Sequence, residues 1–456
     1  MSISIKLKLI QSICISPLLF FFENLFFTVK QLDQIENAIV EHVRNWFKLN
    51  QSSTRSFIFS PRSSGGLGIP NPHILYYAKH LAFYLSILNS SDPIAQACAR
   101  QSLGLHMSKR KATHIGNLPI EEFSRPHFAG YQTDDKGNIL KQSKGSWPKS
   151  QWQSVSVQCA RNNVKLLDLN DYFALEINLG DGISFQFQSP NEFYDMFKSV
   201  KLSEYANKLR SLDSQGRVAR QRRNVNHSLS SHVFQNIKLR DDIKCFVAKG
   251  RLQLLECESL LHTYYPNTYS KACKLCRHPS ETVSHILNGC PQFKNMYTER
   301  HNRILNIVFD KMSIWTHNVT LIKDTVLRPA LFDINNFTRF ITQHTRPDIT
   351  LIDYELKEVK LIEFSVPFDG FIDICYNNKF NKYFPLCQEI NALGFKTEII
   401  VLIIGSLGNI HYRFTSGLMK LGSSNSDAKK LSRYLSISAI IGSFIVWKLR
   451  CKKHPF

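Results

Sequence analysis

Glu363 stands in a run, Leu361 to Phe368, whose other residues are mostly apolar, and that carboxylate constrains the fold more than any other feature of the chain. By the period of two, Ile362, Phe364 and Val366 share one strand face and Glu363 points to the other. A carboxylate in such a strand is costly unless it is paired or holds a metal. Upstream, Asp348 follows Pro347 and opens the apolar alternation Ile349, Leu351. A polar turn, Tyr354 to Lys360, then sends the chain back, so a hairpin brings Asp348 toward Glu363. A polar helix follows, ending in KFNKY, with Lys379 and Lys382 three apart on one face. Two carboxylates with lysines nearby form the constellation of a metal-dependent phosphodiesterase. The acids hold Mg²⁺, the ion polarises a phosphate and acidifies a water, and an amine steadies the developing charge.

The charge balance agrees with a polyanionic partner. The chain carries 57 Lys+Arg against 36 Asp+Glu over 456 residues, a formal net charge of +21. That favours nucleic acid over a membrane surface. Arg210 to Lys249 is the densest basic stretch, with Arg217, Arg220, Arg222, Arg223, Lys238, Arg240, Lys244 and Lys249. It holds few aromatics, Phe234 and Phe246 among them, a composition that follows phosphates without reading bases. Lys109, Arg110 and Lys111 form a second, shorter basic run.

Cys273-x2-Cys276-x8-His285-x4-Cys290 is the strongest local motif. A Cys-x-x-Cys turn aims two thiolates at one point, and a histidine and a cysteine complete a tetrahedral zinc shell. Four protein ligands leave no open position, so the site is structural and metal binding supplies folding energy. His278 is the competing histidine, with shorter spacing. The eleven cysteines are otherwise scattered and odd in number, which argues for free thiols in a reducing compartment rather than a disulfide framework.

Elsewhere the pattern predicts helices over Gln31 to Leu49, with Ile35, Ile39, Val43 and Trp46 on one stripe and Arg44 and Lys48 outward, and over Ile74 to Leu88. Between them Gly65-Gly66 and Gly68 permit positive φ and close backbone approach, and no phosphate-loop ending follows. Hairpin turns are predicted at Lys136-Gly137-Asn138 and Gly180-Asp181-Gly182. Leu9 to Val29 is apolar behind Lys6 and Lys8, which mimics a signal peptide or an anchor; Gln11, Glu23 and Asn24 interrupt it, and a core segment is preferred. Ile437 to Trp447 is too short to span a bilayer and reads as a buried helix, with Arg450, Lys452 and Lys453 beyond it. No stable membrane association is expected.

These motifs, in this order, resemble the C-terminal part of a non-LTR retrotransposon reverse transcriptase/endonuclease. FIFSPRSSGGLGIPNP resembles the thumb phrase of those polymerases, over roughly Leu32 to Leu88. The knuckle, with Glu281, Thr282, Ile286, Leu287 and the following Arg300 to Leu305, resembles their CCHC module. Pro347-Asp348, IEFSVPFD and KFNKY, followed by the Ile399 to Ile404 run and Gly405-Ser406-Leu407-Gly408, resemble their restriction-enzyme-like PD-(D/E)xK endonuclease.

Ser365 stands where the wider nuclease superfamily has its lysine, so the resemblance carries that role onto Lys379 or Lys382 without choosing between them. It also implies DNA contacts by His344 and Arg346, packing or a phosphate contact by Tyr383, a buttress in Asp369, and nucleic-acid contacts in the linker around Gly216-Arg217-Val218 and Phe246 to Arg251, with Lys249 and Arg251.

The expected architecture is multidomain α+β: a partial thumb over 1–95, a basic linker over 96–265, the zinc knuckle over 266–310, and an α/β endonuclease with a central mixed sheet over 311–456. The polymerase palm would precede Met1. The would-be metal motifs, Asp134-Asp135 and Asp241-Asp242, lack the right context, so no polymerase activity is expected. The implied function is target-DNA nicking in the nucleus, with the element's RNA as second partner. A catalytically inactive remnant that only binds nucleic acid is the alternative.

Overall fold

Alternating apolar and polar residues fold the stretch around Glu363 into adjacent strands, and the sheet they build sets the site. The computed structural model describes residues 1–111, 120–125, 131–133, 139–142, 150–180, 182–221, 223–332 and 339–453. The fold is mixed α+β and 59% helical. Two compact units divide it, one of residues 1–6, 43–68 and 206–456, the other of 7–42 and 69–205. The knuckle cysteines and the Asp348–Glu363 hairpin therefore lie in one unit.

In that unit four strands run in the order Thr320–Lys323, Ile349–Asp353, Glu358–Ser365, Lys396–Ile403. Each of the first three is antiparallel to its neighbour, and the last is parallel to the third. The predicted hairpin is present, with Ile349 opposite Ile362. Its second strand begins at Glu358, not Leu361, because Val359 already buries on the same face as Leu361. It ends at Ser365, since Pro367 has no amide to donate and the Val366 carbonyl turns to Asn288 and Arg300 at 2.6 and 3.3 Å.

The two sheet faces are both covered. Ile349, Leu351, Ile362 and Phe364 pack with Ile304 and Val308 of the helix Lys294–Trp315 and with Leu435 and Ala439 of the helix Asn425–Lys453. Ile352, Val359 and Leu361 pack with Tyr383, Leu386 and Ile390 of the helix Ile372–Ala392. That helix does not stop at KFNKY: Leu386, Cys387 and Ile390 continue its apolar stripe, and Pro385 is tolerated on the exposed side. The C-terminal helix likewise outruns its predicted bounds, and Arg450 is 1% exposed instead of trailing into solvent.

The glycine loop behaves as its sequence requires. Gly65 and Gly68 adopt φ of +87° and +68°, and a Cβ on Gly66 would clash with the Ser60 carbonyl oxygen. The helix before it spans Val29–Phe47, and its buried stripe is Leu32, Glu36, Ile39, Val40, Val43 and Phe47. Ile35 and Trp46, expected on that stripe, are half-exposed, while Glu36 is drawn inward by Asn71, whose Nδ2 donates to it at 2.8 Å.

The second unit gathers Leu81, Leu85 and Leu88 of the helix Pro72–Leu88 with Trp152, Phe193 and Phe197. Asn71 caps that helix, accepting from the Ile74 amide at 3.1 Å, so it starts two residues before the predicted Ile74. Its sheet is antiparallel, Val164–Asp168, Phe173–Asn178 and Ser184–Phe187. The predicted turn at Gly180 and Gly182 joins the last two, with Asp181 outside the described residues. Strands Tyr131–Thr133 and Ile139–Gln142 also pair antiparallel, and the turn predicted between them, with Asp134 and Asp135, lies outside the described residues.

Two helical stretches, Ile3–Asn24 and Asn425–Lys453, are long and apolar enough to cross a membrane by length and composition alone. The second places Ala428, Leu431, Leu435 and Ala439 in the core beneath the four-stranded sheet.

Candidate active site and metal centre

Glu363 is buried to 1% exposure on the sheet face that meets the Ile372–Ala392 helix. There Lys379 donates to it, Nζ to Oε2 at 2.6 Å. Asp348 sits one residue before its strand, next to the registered pair Ile349–Ile362, and its Oδ2 accepts the Phe364 amide at 2.7 Å. The hairpin therefore anchors Asp348 on the residue adjoining Glu363. Burial pushes the Asp348 carboxyl up, but His301, the Phe364 amide and Lys379 outweigh it and hold it below the usual carboxylate range. Burial opposes the charge on Lys379, yet Glu363 and then Asp348 hold its ammonium above the ordinary lysine range. Asp348, Glu363 and Lys379 thus share one electrostatic site.

Lys382 turns elsewhere, donating to the Tyr383 hydroxyl at 2.9 Å. That hydroxyl in turn donates to the Arg346 carbonyl at 2.7 Å. Of the two roles open to Tyr383, packing or a phosphate contact, its 1% exposure leaves packing: the ring is in the core and its hydroxyl braces the chain just before Asp348. Burial and Glu363 hold that hydroxyl above the ordinary tyrosine range. Arg346 is exposed and paired with Asp324 at 2.9 Å, and His344 is exposed beside it.

Asp369, expected to buttress this site, is in the interior elsewhere. It accepts the Leu407 and Asn409 amides at 2.6 and 2.9 Å, and it fills the space that a Cβ on Gly405 would need. Its place is the turn after the last strand.

Two neighbouring residues, one at the site and one behind it, had no role assigned from sequence. His301 Nε2 is 3.5 Å from Asp348 Oδ1. Arg300, its neighbour, donates to the Leu287 carbonyl at 3.1 Å, the Ser443 hydroxyl at 2.7 Å and the Val366 carbonyl at 3.3 Å. Their sequence signal was a lone Arg-His pair on the helix after the knuckle. Adjacent helical residues point in different directions, so one serves the core and the other the carboxylate.

The knuckle residues converge as their spacing requires. Ligand atoms of Cys273, Cys276, His285 and Cys290 all lie within 4.8 Å of one another, and Cys276 Sγ is 3.3 Å from His285 Nε2. A tetrahedral Zn²⁺ with ligand bonds of about 2.0–2.3 Å separates its ligands by roughly 3.5–3.8 Å, so the set fits the ion. His278 is outside it: its ring stacks on His285 at 4.5 Å and its Nδ1 accepts the Ser280 amide at 3.2 Å. Glu281 belongs to a buried network instead, receiving Arg450 Nη2 at 2.5 Å, while Glu258 meets Arg450 at 3.3 Å and Lys274 at 2.9 Å.

The basic linker divides on burial. Arg220 and Arg223 are exposed, Arg217 and Lys249 half-buried, and Arg222 lies outside the described residues. Arg217 lays its guanidinium 4.9 Å over the Phe371 ring. Arg251 is a correction: it is 4% exposed and donates to the Ser230 and Leu407 carbonyls at 3.2 and 3.0 Å, so it braces the interior and is not free for phosphate. Burial lowers its guanidinium to about 10. Lys244 is equally internal, bound to Asp241 at 3.0 Å. The side chains of Lys109, Arg110 and Lys111 lie outside those described.

No family model matches the chain, and no curated protein matches it.

Proposed function

We propose that this chain is a metal-dependent DNA endonuclease that nicks one strand of a target duplex. The single observation that carries the reading is the junction of Asp348, Glu363 and Lys379 at the end of one hairpin, with Lys379 Nζ 2.6 Å from Glu363 Oε2. The oxygen-only donor set of the two acids suits a hard divalent cation. Bound there, Mg²⁺ would polarise the scissile phosphate and lower the pKa of a water. Asp348 and Glu363 would hold the cation, and Lys379 would steady negative charge on the phosphate. His301 orients Asp348, and Tyr383 fixes the backbone just before it. The product of such a cut carries a 3′-hydroxyl able to prime reverse transcription, which joins the site to the retrotransposon resemblance, with target DNA and the element's RNA as partners in the nucleus. The Cys₃His group would hold Zn²⁺, tying the knuckle to the helix that bears His301.

The test is nicking of supercoiled plasmid with Mg²⁺ by wild type and Asp348→Ala. Nicking by wild type alone is expected. Equal nicking by both removes the assignment, and steep salt-dependent binding with no cleavage by either leaves a nucleic-acid binder in its place.

A further inference from the structure

On one flank of the helix that carries Lys379, Tyr376, Phe380 and Phe384 recur every four residues and stack. Tyr376 and Phe380 have centroids 6.5 Å apart at 13°, and Phe380 and Phe384 are 6.3 Å apart at 29°. The column continues to His411, 4.4 Å from Tyr376 at 16°, and Tyr412 leans on its end, 4.7 Å from His411 and tilted by 48°. Its middle is buried against Val401 and Ile403, with Tyr376 only 9% exposed. Its ends are open: Phe384 is 49% exposed and Tyr412 46%.

A cation is pinned to this column. Arg413 donates to the Tyr376 hydroxyl at 3.0 Å and the Tyr412 hydroxyl at 2.6 Å, and its guanidinium lies 5.4 Å over the Tyr376 ring. One acid, Asp373, stands on the same helical flank, a turn before Tyr376.

Buried rings explain packing; an exposed Tyr412 that carries a fixed, exposed guanidinium, at one end of a column whose other end is also open, is not explained that way. Every base has a π-face, and aromatic platforms edged with positive charge bind unpaired strands without regard to sequence. A duplex offers no such faces along its length. We infer that this column is a stacking site for unpaired nucleotides, lying beside the carboxylate site on the same helix. It rests on the nucleic-acid reading above and extends it: the strand held here is single, as at a nick or an opened duplex.

The test uses the full chain with Asp348→Ala as background, so that binding is read apart from cleavage. A fluorescent oligothymidylate and a duplex of equal length are titrated against Phe384→Ala, Tyr412→Ala and Phe384→Trp. Each alanine variant should weaken single-strand binding about tenfold while duplex binding stays within about twofold. Unlabelled oligothymidylate should quench the fluorescence of the indole that Phe384→Trp introduces, read as the difference from the same titration of the background chain. Undiminished single-strand binding, or equal losses for both nucleic acids, would overturn the inference. A change in oligomeric state of the alanine variants would also overturn it, assigning the rings to a contact between chains. Plasmid nicking by the otherwise wild-type chain is scored separately, so either reading can fail alone.

Discussion

Lys379 and Glu363 form a nearly buried ion pair: the amine is 2.6 Å from the carboxylate, and the two side chains are 28% and 1% exposed. The strand turns the acid away from its apolar neighbours, and the next helix delivers the cation that this acid needs. Lys382, on the same helix three residues on, bonds Tyr383 instead. Sequence spacing allowed either lysine; packing separates them.

From that separation follows a kinetic prediction. Lys379→Ala should lower Mg²⁺-dependent nicking by about 10²-fold or more, the range for losing one preorganised charge-stabilising group, whereas Lys382→Ala should cost less than about tenfold. Initial nicking rates with matched circular dichroism spectra check this. Comparable losses in both variants would contradict the assignment.

Arg450 bridges two buried acids, Glu258 and Glu281, each 1% exposed. Arg450→Met strands the Glu281 carboxylate and leaves Glu258 with Lys274 alone, and should destabilise the chain by roughly 3–5 kcal/mol. Denaturant unfolding is the measurement. Restoring stability with a second change, Glu281→Gln, would confirm that stranded charge and not lost packing is the cause.

Opening the Cys₃His cluster should act beyond the knuckle. Asn288 and Arg300 join it to the Val366 carbonyl, just past the strand that bears Glu363, and Arg300 precedes His301. Cys273→Ser should abolish zinc binding measured by mass spectrometry of the native protein, and should raise hydrogen exchange in both the knuckle and the helix Lys294–Trp315. Exchange confined to the knuckle would show the two to be independent.

Stability should fall in mild acid. Burial holds His80 at about 4, and burial with Arg413 holds His411 at about 4. An unfolded histidine titrates near about 6.5, so below that pH the unfolded chain binds protons that the folded chain refuses. The contribution is complete above about pH 6.5 and is lost progressively toward about pH 4, up to roughly 3 kcal/mol per histidine. His80 is enclosed by Phe26, Tyr76 and Tyr84. His80→Leu should therefore lose less melting temperature between about pH 7 and pH 5 than wild type does.

How far the sequence reached is clearest in particular residues. The period of two placed Glu363 opposite Ile362 and Phe364, and the fold keeps that alternation, with Phe364 in one core and Leu361 in the other. The Cys-x2-Cys-x8-His-x4-Cys spacing brought four ligand atoms together, because a knuckle is a local device whose geometry lies within a few turns of chain. The glycine loop was legible for the same reason. Arg251 and Arg450 were not: an arginine reads as a surface cation until distant carbonyls or acids enclose it. His301 escaped notice because its partner, Asp348, is far along the chain.

Local periodicity and spacing, by themselves, determined the hairpin, the direction of its buried acid and the cysteine–histidine cluster, since each depends on backbone geometry over a short span. Tertiary structure alone decided which lysine meets Glu363, which arginines turn inward and which rings stay in solvent. Those outcomes depend on burial, and burial is a property of elements brought together from distant parts of the chain.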